Sequence, residues 1–128
     1  MFNSKKKSTI DSLIGASTSI EGDIHFKGGL RIDGHVKGNV VAEAGAASIL
    51  VISEQAVIDG EVRAGHVVVN GVINGPVIST ELIELQSKAR ISGDVHYKAL
   101  EMINGALVSG KLAHDQVAEP VLKLAASN

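Results

Sequence analysis

"ISGDVHYKALEMING", residues Ile91–Gly105, restates "IEGDIHFKGGLRIDG", residues Ile20–Gly34, at an offset of 71 residues. Seven of the fifteen aligned positions are identical, and Phe26/Tyr97 and Ile24/Val95 are close substitutions. A repeat of this kind has to be read before any single motif, because each copy of a repeat buries its apolar face on its neighbours and not on itself.

The chain between the two copies supplies the period. Set one under another, "LRIDGHVKGNV", "LVISEQAVIDGEV", "VVVNGVINGPV", "IELQSKARISGDV" and "EMINGALVSGKL" fall into columns. One column holds Ile32, Ile52, Val69, Leu85 and Ile103; a second holds Val40, Val62, Val77, Val95 and Leu112; a third holds Gly38, Gly60, Gly75, Gly93 and Gly110. The mean step in the second column is about 18 residues, with unequal local steps because loops at corners accept insertions. An offset of 71 is then about four turns of a coil.

Within a turn, apolar and polar residues alternate, as in Ile20, Gly22, Ile24 and Phe26 against Glu21, Asp23, His25 and Lys27. A period of two means strand with one face buried. The strands are short and punctuated by Gly and Asn, which admit the positive φ expected at tight corners. No helical signal of any length occurs from 18 to 112. An all-β, single-domain β-solenoid of five to six rungs follows, about 25–30 Å long at the spacing of paired strands. The expected boundaries are a disordered leader at 1–17, the coil at 18–112 and a disordered or loosely packed tail at 113–128. Positions Val67, Ile73, Ser79, Leu85, Ile91, Tyr97 and Ile103 lie six apart, which suits three equal faces per rung.

Composition agrees. The 128 residues are 45% hydrophobic yet only 2% aromatic, so the apolar content is aliphatic and suits a narrow β interior. Cysteine is absent, which excludes disulfides and thiolate metal sites. No apolar run reaches the roughly 20 residues of a membrane-spanning helix. Net charge is +2 over 1–17, −3 over 18–112 and −1 over 113–128, so the coil is a poor nucleic-acid surface. No GxxxxGK[ST] loop is present to cradle a nucleotide, and the glycines recur in register with corners.

The Gly-punctuated units "IEGDI", "RIDGHVKGNV" and "AVIDGEV", and the opening "MFNSKKKS", resemble the bactofilins, bacterial polymer-forming proteins. The resemblance covers roughly residues 1–112. It implies a right-handed triangular β-helix that assembles end to end into nonpolar filaments without nucleotide or other cofactor. It also implies a place on the inner face of the cytoplasmic membrane and partners among cell-envelope or shape-determining proteins. Some relatives present an aromatic residue at the C-terminal polymer contact, whereas the last rung here offers Leu107, Val108 and Leu112.

Physical chemistry supports assembly independently. A solenoid that stays monomeric must cover its terminal rungs, since open backbone groups and an open apolar channel recruit another chain. The expected contacts are Ile20, Ile24 and Phe26 at one end and Ile103, Leu107 and Leu112 at the other. In the leader, Met1 and Phe2 can enter a bilayer interface, and Lys5, Lys6 and Lys7 each add about 1 kcal/mol near anionic lipid. The alternative is a left-handed hexapeptide-repeat acyltransferase, a trimeric enzyme that uses a histidine. Against it, His25 and His96 are repeat equivalents on outward positions, no long loop builds a cleft, and neither HxH nor HxxxH spacing offers metal ligands. No catalytic, cofactor or metal residue is expected.

Overall fold

Short apolar–polar alternations interrupted every few residues give strands too brief to pair with their sequence neighbours, so each pairs with the strand one full turn away. The structure, a computed structural model, describes residues 9–115. They form six rungs. Rung 1 is β1 (Ile10–Ile14), β2 (Ser19–Glu21) and β3 (Ile24–Phe26); rung 2 is β4 (Gly28–Ile32), β5 (His35–Lys37) and β6 (Val40–Ala42). Rung 3 is β7 (Ser48–Ile52), β8 (Val57–Asp59) and the first half of β9 (Val62–Val69). Rung 4 takes the rest of β9, β10 (Val72–Ile73) and the first half of β11 (Val77–Leu85). Rung 5 takes the rest of β11, β12 (Arg90–Ile91) and β13 (Val95–Tyr97); rung 6 is β14 (Leu100–Met102), β15 (Leu107–Val108) and β16 (Leu112–His114).

Every ladder is parallel, and three ladders run the length of the coil. On the first face Ile14, Ile32, Ile52, Val69, Leu85 and Met102 stand in register. On the second, Ile20, Val36, Ile58, Ile73, Ile91 and Val108 do so. On the third, Ile24, Val40, Val62, Val77, Val95 and Leu112 do so. The 71-residue offset from Ile20 to Ile91 is thus four rungs on one face. In the interior rungs these side chains are fully buried, and the core is Ile, Val, Leu and Ala throughout. Each large one contributes about 1.5–3 kcal/mol by leaving water.

The corners explain the unequal steps. From the first face to the second, the turn is two residues in rung 2 (33–34) and rung 4 (70–71), but four in rung 3 (53–56), rung 5 (86–89) and rung 6 (103–106). The long turns close through Ala56 N–H to Ser53 O, Ala89 N–H to Gln86 O and Ala106 N–H to Ile103 O, and each tucks its alanine inside. From the second face to the third stand Gly22, Gly38, Gly60, Gly75, Gly93 and Gly110, one per rung. A β-carbon on Gly38 would lie 2.2 Å from the Gly22 carbonyl oxygen, on Gly60 2.2 Å from that of Gly38, and on Gly75 2.2 Å from that of Gly60. Positive φ is therefore not the general reason for glycine here, contrary to the expectation from sequence: Gly60, Gly75, Gly93 and Gly110 lack it, and close approach of backbone excludes a side chain.

The next residue along that corner satisfies the backbone. Asp23 Oδ1 accepts the Asn39 N–H, Asn39 Oδ1 accepts the Glu61 N–H and Asp94 Oδ1 accepts the Lys111 N–H, each at 2.9 Å. Pro76 holds this place in rung 4, where it has no N–H to satisfy. At the third corner Ser48 Oγ accepts the Gly65 N–H and Ser79 Oγ donates to the Gly65 carbonyl, both at 2.9 Å and buried.

The coil begins earlier than the expected boundary at 18. β1 pairs with β4, so Ile10–Ile14 belong to rung 1 and not to a disordered leader. It also runs past 112, because Ala113 and His114 pair with His96 and Tyr97.

Candidate functional site

The ends of the coil are where the alternation that buries the core runs out of partners. Val95, one rung inside, is 0% exposed, while Leu112 in the same column is 43% exposed. Met102 is 45% exposed beneath fully buried Leu85, and Leu100 and Val108 are half-buried. His114 closes this end on the third face, its ring 5.4 Å from that of Tyr97 and its Nε2 3.1 Å from the Lys98 carbonyl. An aromatic contact is therefore present near the C-terminal end, made by Tyr97 and His114. At the other end Ile14, Ile20, Ile24 and Phe26 are half-buried, with Ile10 and Leu13 exposed beside them. Among the described residues no segment folds over either rung.

The six residues expected at the ends are thus split in their placement. Ile20, Ile24 and Phe26 line the channel in rung 1, and Leu112 lines it in rung 6. Leu107 and Ile103 do not. Leu107 is in register with exposed Arg90, so it points outward, and Val108 fills the column beneath Ile91. Ile103 begins the four-residue turn, and Met102 takes the column beneath Leu85. Both remain exposed, at 57% and 55%, on the rim of the end and not in its centre. The sequence signal for Val108 was apolar-x-Gly-x-apolar about Gly110, the pattern that Ile58–Val62 and Ile91–Val95 share; "INGAL" imitates it one corner too early. Met1, Phe2, Lys5, Lys6 and Lys7 lie outside the described residues.

The flanks carry isolated polar pairs. His25 and His96 occupy one outward column, four rungs apart through Val41, Arg63 and Ile78. His35 Nε2 meets Asp59 Oδ2 at 2.8 Å, and His66 Nε2 meets Glu84 Oε2 at 2.6 Å, each across neighbouring rungs. The Asn74 amide, donating to Asp59 Oδ1 at 2.8 Å, and then His35 hold the Asp59 carboxyl below the usual carboxylate range. Arg31 and Ser53 do the same for Asp33. Both carboxylates are solvated, so these contacts fix side chains more than they add stability. Among the described residues no group of three or more His, Cys, Asp or Glu could hold a metal ion.

A family model described as bactofilin, polymer-forming cytoskeletal, matches residues 12–113. The chain belongs to the bactofilin family. The matched span starts inside β1 and ends inside β16, so the bactofilin signature and the six-rung coil coincide. Bactofilin BacO of Myxococcus xanthus is 25% identical over 105 residues, 82% of this chain and 80% of the relative. Bactofilin BacP of the same organism is 25% identical over 102 residues, of which the match spans 80% of this chain but only 41% of BacP. Among solved structures, a cryo-EM reconstruction of Thermus thermophilus bactofilin double helical filaments superposes with a TM-score of 0.66 at 27% identity, over 78% of this chain and 95% of that one. Bactofilins are a cytoskeletal family, and the matching family is not an enzyme family.

Proposed function

We propose that this bactofilin is a membrane-associated cytoskeletal scaffold, built by end-to-end stacking of coils without nucleotide. The filaments are nonpolar, like ends meeting like, and position cell-envelope proteins along the cytoplasmic membrane. The observation that carries the reading is the contrast within single columns: side chains fully buried in rungs 2–5 stand partly exposed in rungs 1 and 6, up to 45% at Met102. Joining two C-terminal rungs buries Leu100, Met102, Val108 and Leu112 together with the last open row of backbone groups. Membrane association rests on the chemistry of Phe2 and Lys5–Lys7, each copy weak and the filament strong through avidity.

Electron microscopy of wild-type protein and of Leu112→Arg, with and without ATP or GTP, tests the assembly. Wild type should give filaments in all buffers. Leu112→Arg places an unpaired charge in the joint, at a cost of several kcal/mol, while in the monomer the long side chain can turn to water. It should keep its β circular dichroism and stop at monomers or at dimers joined through rung 1. The same change at Val77, 0% exposed in rung 4, should unfold the chain. Long Leu112→Arg filaments, or growth that requires nucleotide, would show that the joint or the mechanism is different.

A further inference from the structure

Asparagine is followed directly by glycine at Asn70–Gly71, Asn74–Gly75 and Asn104–Gly105. The order matters chemically, because glycine has no β-carbon to shield its backbone nitrogen from the amide carbon of the preceding side chain. Attack within one chain has the advantage of proximity, so a small imide ring closes without any catalyst. In a folded protein it closes only where the side chain can leave its hydrogen bonds and the backbone can turn.

The pairs in rung 4 are locked from both sides. Asn70 Oδ1 accepts the Lys88 N–H at 2.9 Å. Asn74 Nδ2 donates to Asp59 Oδ1 at 2.8 Å, and its Oδ1 accepts from Ser92 Oγ at 3.4 Å. Their own N–H groups donate to the Ile52 and Ile58 carbonyls, both at 2.7 Å. The glycines are packed as closely: a β-carbon on Gly71 would lie 2.2 Å from the Ser53 oxygen, and one on Gly75 2.2 Å from the Gly60 oxygen. Neither pair can reach the ring geometry without parting rung 4 from rungs 3 and 5.

Asn104 has a rung on one side only. With Gly105 it forms the exposed centre of the turn that Ala106 N–H closes to Ile103 O at 3.2 Å. Among the described residues the Asn104 amide and the Gly105 N–H have no hydrogen-bond partner. The rest of the turn is gripped from below: Arg90 Nη1 donates to the Gly105 carbonyl at 2.9 Å while bonding the Ala89 carbonyl at 2.8 Å and the Ser87 carbonyl at 3.3 Å.

We infer that Asn104–Gly105 is a self-modification site, singled out from the three pairs by its place in the terminal rung. The Gly105 nitrogen loses its proton and bonds to Asn104 Cγ. The Cγ–Nδ2 bond breaks, and Nδ2 leaves with that proton as ammonia. Water then opens the imide at either carbonyl carbon and returns a proton to the Gly105 nitrogen, leaving aspartate or isoaspartate at position 104. Both products add a carboxylate to rung 6. Isoaspartate also inserts a carbon into the main chain, beside a carbonyl that Arg90 holds. Two new carboxylates then come to each joint of C-terminal rungs, and the joint weakens as its subunits age; this consequence alone rests on the filament reading above.

The full chain, aged at mildly alkaline pH either folded or unfolded in urea, is digested and read by mass spectrometry, with isoaspartyl peptides separated by chromatography. In urea the three asparagines should convert at comparable rates. In the folded protein Asn70 and Asn74 should fall behind Asn104 by at least about tenfold, since an interior rung must open for them and a terminal turn opens at little cost. Asn104→Gln, whose longer side chain closes its ring slowly, should stay unmodified at 104, and its aged protein should give longer filaments than aged wild type. Folded Asn104 converting no faster than Asn70 and Asn74 would overturn the inference. Equal filament lengths with position 104 converted would overturn the effect on the joint. Absence of filaments from fresh wild type would overturn the filament reading and leave the modification to stand on the mass spectra.

Discussion

At the scale of single residues, the glycines of the second corner are the least replaceable feature of the coil. Gly60 has the Gly38 carbonyl oxygen 2.2 Å from where its β-carbon would lie, and Gly38 is itself held in place by its N–H, which donates to the Asp59 carbonyl at 3.0 Å. Gly60→Ala should therefore cost about 1–3 kcal/mol, the usual penalty of forcing an extra methyl into a packed interior, or more. Gly15→Ala is the control: nothing lies within 4 Å of its β-position and its φ is ordinary, so stability should stay the same or rise slightly. Urea unfolding of the two variants checks this, and equal midpoints would mean that the rungs separate easily at that corner. The Gly column was legible in the sequence because it recurs two residues before each apolar residue of the third face. Its cause was not. Alternation within one rung says that a corner exists, whereas the oxygen that excludes a side chain belongs to the rung before.

At the scale of elements, the corners differ in what they tolerate. The loop of residues 43–47 is exposed throughout, and Gly45 at its tip has φ +85° and open space around it. Inserting five residues after Gly45 should cost only about 0.6 kcal/mol, the closure entropy of a doubled loop. One residue inserted after Gly65, which is buried and bonded on both sides to Ser48 and Ser79, should cost far more by shifting β9 out of register. Thermal melts of the two insertions should differ widely. The same contrast explains what could be read of the elements. The third-face column was read correctly from Val40 to Leu112 because a fixed Gly-x-apolar spacing pins it in every rung. On the first face, a constant offset carried Ile32 onto Ile103, while the four-residue turn at 103–106 leaves Met102 in the column. β1 escaped notice because "IDSLI" does not alternate: Ser12 takes the inward register of Leu30, and Leu13 points out with Arg31. In an end rung half the apolar demand is missing, so the pattern fades where the coil stops.

At the scale of the whole molecule, the proposed end-to-end polymer divides the surface: the terminal rungs would carry growth and the flanks would stay open to other contacts. The proposed function gives Phe2 and the lysines at 5–7 a third role, membrane attachment. Deleting residues 2–7 should release filaments from anionic liposomes and leave their number and length unchanged, because rung 1 starts only at Ile10. Co-sedimentation with liposomes, followed by negative-stain imaging of the supernatant, separates the two effects; filaments that still pellet with lipid would place attachment elsewhere.

The described chain enters the coil on the first face of rung 1 and leaves it on the third face of rung 6, so Thr9 and Asp115 lie at opposite ends of the rod. If like ends meet, as proposed, the two points of chain entry lie together at one joint and the two points of exit at the next. Under the proposed nonpolar, membrane-attached assembly the filament would act as a measuring rod: its anchors would come in couples, one couple for every two subunits, at a repeat of about 58 Å fixed by twelve strand spacings. Lengthening the coil by one rung would stretch that repeat by about 10 Å, so on this proposal rung number sets the pitch of attachment.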